Sequence, residues 1–507
     1  MTLTSLPANQ RVRSRRTRFV VAGVFLLFLL VFAATTQRGP AWQDSGIFQL
    51  RILRTDFSGW LGVALAHPVL IALGKLAGLV PVGPITWRIN MVSAVLGAVS
   101  CASIAALVLR LWPGRWFISI AAAGWFGLGH ATWWLATICE SQIILATIFT
   151  LELHVVLTLL RSPRARWAAV LGVLNGVGLA THNLALLALP VYGLMVLALA
   201  GRGWMPWRGV ACFIGSWLIG ASPWLVLVGM EIPDLGLAGA VNSGLFGRGW
   251  QDSVLVGSGR ALVMGPIYVL LQFPNLALPL AAVGLVTLRR LRPAALKVVW
   301  GALLAIYLLF ALRYDVPDQF MFFLPAHAML TLWASAGVAH LTGGNRRRWI
   351  PTAAVISVLW TPLVYLLAPT AWDAIGRPAP GRTDLAYRDP VRYWLWPWKG
   401  QENSAGRFAL ETLENLPAGS TIIADTTAAG PLKIVKETGR AGADIRVLWT
   451  SEVSQRGQGV SIGRKNLYVV NPAKGYCPEW IRSAARFERA EGAPVYRVIR
   501  REEDARE

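Results

Sequence analysis

The residues with chemistry to offer stand in three stretches, each at the end of an apolar run. The first runs from Ala41 through Asp44-Ser45-Gly46-Ile47, past Arg51, Arg54 and Asp56, to His67-Pro68, Arg88 and Asn90. The second carries Glu140 at the start of a long apolar run, with His182 and Asn183 some forty residues on. The third is Arg313-Tyr314-Asp315-Val316-Pro317-Asp318-Gln319, between two apolar segments. A carboxylate can take a proton from an attacking hydroxyl or orient it, and an arginine fork can bind two phosphate oxygens at once. Asp44 is the first choice for the carboxylate and Asp56 the second. Arg51, Arg54, Arg88, Arg248, Arg260 and Arg313 supply the cations.

Each of these residues also has an ordinary structural reading. Asp-Ser-Gly is good turn and cap chemistry, so Asp44 could cap an interfacial helix. Glu140 could cap or snorkel at a membrane edge. His67 and His182 read more readily as hydrogen-bonded structural residues than as bases or ligands. Arg51 and Arg54, three apart on one helical face, also suit contact with anionic lipid headgroups. Asp318, directly before an apolar helix, is expected to be an N-cap, while Asp315 stays open between capping, holding sugar hydroxyls and binding an ion.

The elements that must position these residues are membrane spans. The chain has 507 residues, 55% of them hydrophobic and only 15% charged, with a mean hydropathy of +0.50, which excludes an ordinary soluble globule. The net charge of +22 sits in short basic clusters between apolar runs, the way orientation is written in membrane proteins, and no nucleic-acid partner is expected. Four scattered cysteines offer no disulfide framework, and phosphate loops, nucleophile elbows and zinc spacings are missing.

Spans of about 20 apolar residues are expected at roughly 19–36, 89–109, 117–136, 138–160, 168–182, 184–200, 209–230, 262–288, 298–312, 320–341 and 350–368, about eleven in all. The basic stretch before Phe19 keeps the N-terminus cytoplasmic and makes the first apolar run a retained helix. Residues 1–18 form that basic segment and 19–368 the membrane domain, whose first external loop is 37–88. Residues 369–404 read as an interfacial linker. From 405 to 507, β-branched runs at 422–425, 445–449, 466–471 and 495–500 alternate with helical stretches, which predicts a small extracytoplasmic α/β domain.

Three pieces of the first stretch carry a resemblance. Asp44-Ser45-Gly46-Ile47, His67-Pro68-Val69-Leu70 and Trp87-Arg88-Ile89-Asn90-Met91-Val92-Ser93 resemble the Asp-Ser-Gly-Glu, His-Pro-Pro-Gly and Trp-Arg-x-Asn-x-x-Ser pattern of the transmembrane protein 260-like family, a branch of the GT-C glycosyltransferases. Glu140, and the Gly176 to His182 passage, fall where that family has an acid and a histidine; Tyr314 to Pro325 is a weaker match. The chain departs from the pattern at Ile47 and after Pro68. The resemblance implies a GT-C-like polytopic helical fold and transfer of a hexose or pentose, mannose among them, from a polyprenyl-phosphate sugar. Transfer would proceed with inversion to a glycan, lipid or protein acceptor outside the cytoplasm. Asp44 and Glu140 would be catalytic. Asp56, His67, Arg51, Arg54, Arg88, Asn90, His182, Asn183, Arg313 and Asp315 would bind substrate, with no metal or other cofactor. A catalytically silent binding protein and a transporter are the alternatives; the transporter would place polar residues at mid-membrane depth, for which Glu152 and His154 are the candidates.

Overall fold

The computed structural model describes residues 8–58, 61–248, 251–254, 258–287, 293–343, 349–453, 460–463 and 466–501. The basic clusters at 289–292 and 346–348, and the side chains before residue 15, lie outside the described residues. In chain order, α1 (Ala8–Thr35) leads into α2 (Gln43–Arg54) and α3 (Pro68–Gly78), then α4 (Ile85–Leu111), α5 (Trp116–Gly127), α6 (His130–Leu135) and α7 (Ser141–Arg161). There follow α8 (Ala165–Thr181), α9 (Leu189–Gly201), α10 (Arg208–Phe246), α11 (Gly259–Gln272), α12 (Ala277–Val286), α13 (Ala295–Leu312), α14 (Leu324–Leu341) and α15 (Trp349–Ala374).

All eleven expected runs are helical. Among the described residues, eight segments are long and apolar enough to cross a membrane: those built on α1, α4, α7, α9, α10, α13, α14 and α15. The pair α11 and α12, bent by 104°, makes a ninth if it counts as one span. The remaining two are short, α8 with 17 residues and α5 with 12.

The expected run 117–136 breaks at Leu128-Gly129 for a packing reason. A Cβ on Gly129 would sit 1.9 Å from Nε2 of Gln272, the buried residue at the bend between α11 and α12. The Gln272 amide accepts from the Ala131 N–H at 2.9 Å and donates to the Phe126 carbonyl and the Thr132 hydroxyl, each at 3.3 Å. Two broken helices thus face each other and one side chain satisfies backbone groups that the break frees, as apolar surroundings require.

Glycine sets the closest helix contacts. Added Cβ atoms on Gly172 and Gly176 of α8 would meet the Phe213 and Trp217 carbonyl oxygens of α10 at 2.3 Å. Small residues let backbones approach in this way where lipid supplies no hydrophobic drive. Gly176→Leu is expected to cost about 3 kcal/mol through overpacking, read as a lower midpoint of denaturant unfolding in detergent.

The polar residues at membrane depth are tied within the protein. Glu152 accepts from Tyr192 Oη at 2.9 Å and from Asn175 Nδ2 at 3.2 Å, and Asn175 Oδ1 accepts from Trp217 Nε1 at 3.1 Å. One carboxyl thereby joins α7 to α8 and α9, and through Asn175 to α10.

Beyond α15 come α16 (Pro390–Leu395), α17 (Ser404–Asn415), α18 (Thr426–Glu437) and α19 (Glu479–Ala484). The sheet has five strands, β1 (Thr421–Ala424), β2 (Arg446–Trp449), β3 (Leu467–Val469), β4 (Ala485–Arg489) and β5 (Tyr496–Arg500), in the order β2-β1-β3-β5-β4. β2, β1 and β3 are parallel, and β5 runs antiparallel to both of its neighbours, β3 and β4. Four strands match the expected runs. The fifth, β4, lies outside the expected runs, because Ala-Arg-Phe-Glu-Arg is a mostly exposed edge with little apolar signal. The linker is fastened by Lys399, whose Nζ donates to the Tyr393 and Trp396 carbonyls and lies 3.4 Å from the Trp134 ring centre. Its backbone N–H donates to the Thr35 carbonyl at the end of α1, 3.0 Å away.

Candidate active site

The three motif pieces converge on α2, a short amphipathic helix with a different neighbour on each face. Asp44 and Phe48, one turn apart, face a cavity of about 340 Å³. Ser45 and Gln49 face the membrane helices: Ser45 Oγ donates to Glu140 Oε1 at 2.9 Å, and Gln49 Nε2 donates to Asn90 Oδ1 at 3.0 Å. Asn90 in turn donates to the Gln37 carbonyl. Trp42, Ile47 and Leu50 face the other way and belong to the hydrophobic core of the α/β domain. Ile47 is therefore apolar because it fills that core, not the cavity.

Contact with the domain is backbone to backbone. A Cβ on Gly430 of α18 would lie 2.9 Å from the Gly46 carbonyl carbon and 3.2 Å from the Ile47 nitrogen. Trp42 Nε1 donates to Ser404 Oγ at 2.7 Å, and Arg54 pairs with Glu437. At the carboxyl end of β1, beside the point where strand order reverses, Asp425 pairs with Arg382 of the linker. The place where open α/β sheets take ligands is filled here by the chain itself.

His67 is held by the loop before it. Arg51, buried, donates to the carbonyls of Leu65 at 2.7 Å, Ser58 at 2.8 Å and Ala66 at 2.9 Å, with Asp56 3.7 Å from its Nε. His67 then adopts φ 47°, ψ 54° directly before Pro68, a left-handed conformation that costs energy for a residue with a side chain. Gln43, next to Asp44, has φ 57°. Strain of this kind persists where surrounding structure over-determines it and gathers at functional sites. His67 Nδ1 donates to the Thr181 carbonyl at 2.8 Å, and its ring stacks on His182 at 5.1 Å. His182 Nδ1 accepts from the Leu184 N–H at 3.0 Å. Phe48 and Phe322 meet the two imidazoles edge-on, making an aromatic wall.

Glu140, Asp318, Gln142, Asn183 and Tyr314 complete the polar lining, and Leu186, Leu187, Phe246 and Phe310 supply apolar walls. Asn183 Nδ2 donates to the Leu245 carbonyl at 2.6 Å, and the Val63 N–H donates to Ser243 Oγ at 3.1 Å, so the end of α10 is tied against the cavity that it helps to line. Burial raises the Asp44 carboxyl above its usual range. Burial also pushes Glu140 well up, assisted by the charges of Asp44 and Asp318 and opposed by the Ser45 hydrogen bond. Asp318 is raised to about 7, by burial first and by Asp44 second. Burial lowers both histidines, His182 to about 4, and His67 is lowered further by His182 and Arg51. The cavity thus combines neutral imidazoles with acids that ionise reluctantly. Among the described residues no three of His, Cys, Asp and Glu group so as to hold a metal ion.

Of the residues singled out in the sequence, Asp44, Glu140, His67, His182 and Asn183 come together in the cavity. Asp56 accepts from the Ser58 backbone and hydroxyl, and Arg88 donates to the Gly78 and Val80 carbonyls at the end of α3. With Arg51, Arg54 and Asn90 they hold the surroundings of α2 rather than line the cavity. Asp315 pairs with Arg260 at 2.6 Å and Arg248 with Glu231 at 3.5 Å. Arg260 also donates to the carbonyl of the lining residue Val316 at 3.5 Å, and Arg313 directly precedes the lining residue Tyr314. Asp318 corrects the expected cap: the turn Gln319–Phe323 starts without a side-chain bond from it, and its carboxyl lines the cavity. The pattern of 313–319 points to Asp318 as the cap and leaves Asp315 open; the fold reverses this, with Asp318 in the cavity and Asp315 paired with Arg260.

Helices and sheet together define a polytopic helical membrane protein with a small α/β domain outside the helical bundle. No family model matches the chain, and no curated protein does. Two solved structures of ArnT from Cupriavidus metallidurans are similar to it, each at 14% identity. The one bound to undecaprenyl phosphate has a TM-score of 0.56, over 82% of this chain and 84% of that one. The apo structure has a TM-score of 0.57, over 83% and 85%. The likeness establishes the fold.

Proposed function

We propose that the chain is an integral membrane glycosyltransferase that takes a hexose or pentose from a polyprenyl-phosphate donor. The observation that carries this reading is Asp44 in a cavity with apolar walls, on a fold that in ArnT is solved with undecaprenyl phosphate bound. The acceptor hydroxyl attacks the anomeric carbon from the face opposite the phosphate while Asp44 takes its proton. The bond from that carbon to the phosphate oxygen breaks, and the phosphate leaves with the electron pair, giving inversion. Glu140, bonded through Ser45, holds the start of α2; His67 and His182 offer a neutral aromatic face to the sugar. In this reading Arg260 and Arg313, beside the lining residues Val316 and Tyr314, and Arg248 are the cations that meet the leaving phosphate. The kinship with the transmembrane protein 260-like family, a cytoplasmic N-terminus and an extracytoplasmic α/β domain belong to the same proposal. The silent alternative loses one support, since Ile47 is accounted for by the domain core.

The test is transfer of labelled sugar from a panel of polyprenyl-phosphate sugars by membranes containing the natural chain, with empty membranes as reference. Transfer from at least one donor is expected; none from any donor would leave a binding protein as the better reading. A second expectation concerns pH. The donor is anionic, and Asp318 loses its proton near about 7, so a second negative charge enters the cavity above that pH. Donor KM is expected to rise up to about tenfold between about pH 6 and about pH 8, and Asp318→Asn, which stays neutral, is expected to flatten the rise. An equal rise in the variant would remove Asp318 from donor binding.

A further inference from the structure

We propose that the groove between α1, α4 and α7, on the membrane face opposite the acid cavity, binds one anionic glycerophospholipid of that leaflet. The groove holds about 600 Å³ and its walls are almost wholly apolar, with Val21 and Phe25 on one side and Val99, Ala102 and Ala106 on the other. From Arg18 to Phe25 it follows about 10 Å of helix, running from the basic end of α1 toward the middle of the bundle.

Charge at its mouth selects the occupant. Arg18 lines the groove, and Arg110, half-buried at the end of α4, is held only by neutral acceptors. Its Nη1 donates to His154 Nδ1 at 2.9 Å and to the His154 carbonyl at 3.1 Å, and its Nη2 donates to Thr158 Oγ1 at 2.7 Å. His154 itself lines the groove and donates from Nε2 to the Ser103 carbonyl at 2.9 Å, which leaves Nδ1 bare to accept from Arg110. Arg161 adds a second guanidinium, its two terminal nitrogens each 3.4 Å from the Arg110 carbonyl. Among the described residues, none of these three arginines forms an ion pair with a carboxylate.

A half-buried cation without a counter-ion is costly, and a lipid phosphate supplies the missing charge while its chain fills the groove. Independently, the Ser103 hydroxyl in the groove wall is buried at 7% exposure and has no hydrogen-bond partner, leaving a donor for the ester oxygens near a lipid's glycerol. A free phosphate would satisfy the arginines and leave the apolar walls bare.

The experiment is native mass spectrometry of the full chain in detergent, titrated with phosphatidylglycerol or phosphatidylcholine. The natural chain is expected to retain one phosphatidylglycerol in preference to phosphatidylcholine. Arg110→Gln with Arg161→Gln is expected to weaken phosphatidylglycerol about thirtyfold, the effect of two charges near a membrane surface, and to erase the preference. Ala22→Phe, at an exposed groove position one turn after Arg18, is expected to abolish retention without moving the thermal unfolding midpoint. Equal retention in all three proteins, no preference between the lipids, or displacement of the lipid by free glycerophosphate would each overturn the proposal.

Discussion

Asp44→Asn is expected to lower the turnover number for sugar transfer about 10³-fold, within the range that a positioned proton acceptor contributes, and to leave donor KM within about threefold. Asparagine keeps the shape and the first-turn position on α2 but cannot take the acceptor's proton. The change spares Ser45, Gln49 and the domain contacts, so folding should be unaffected. The measurement is initial rate at saturating donor with matched amounts of purified protein. Glu140→Gln is the informative companion: it keeps an oxygen to accept from Ser45 at the 2.9 Å contact and is expected to lose far less. Full activity in Asp44→Asn would move the base to Asp318 or Glu140.

The second large effect comes from a residue whose neighbours are in the α/β domain and on the opposite side of α2 from the cavity. Gly430→Val puts side-chain atoms where the Gly46 and Ile47 backbone already stands. Either α2 or α18 must give way, and α2 carries the carboxylate. Misplacing a reacting group by about 1 Å can cost about 10²-fold in rate, so turnover is expected to drop by that order while donor KM changes little. A matched substitution at Gly301, a helical glycine with open space around its Cβ direction, reports the loss expected without a clash. A Gly430→Val protein whose turnover and KM both match the natural chain would show that the domain does not position α2.

Much of this architecture was legible in the sequence. Eleven apolar runs became helices, and four of the five strands stood out as β-branched runs, because burial in lipid and burial in a sheet both write long local patterns. Asp44, Glu140, His67, His182 and Asn183 were legible by type and motif. Their arrangement was not. The arginines illustrate why: a charged side chain after an apolar run reads as a phosphate ligand, yet Arg51 and Arg88 donate to backbone carbonyls, needs that only the folded loops create. Asp318 shows the converse. A carboxylate before a helix reads as a cap, and only the turn at Gln319–Phe323 aims it into the cavity. Ile47 likewise reads as a lost acid until a domain nearly four hundred residues later closes over it.

That closure also orders assembly. Trp42, Ile47 and Leu50 emerge during synthesis long before the residues between Ala405 and Val495 that complete their core, and chains generally fold from the N-terminal side as they are made. Until the last strands are in place, the apolar side of α2 has no partner, and Asp44 is held from one side, through the Ser45 and Gln49 bonds to Glu140 and Asn90. A truncated chain would insert its helices yet leave α2 braced on one side, so the alignment of Asp44 waits on the finished polypeptide.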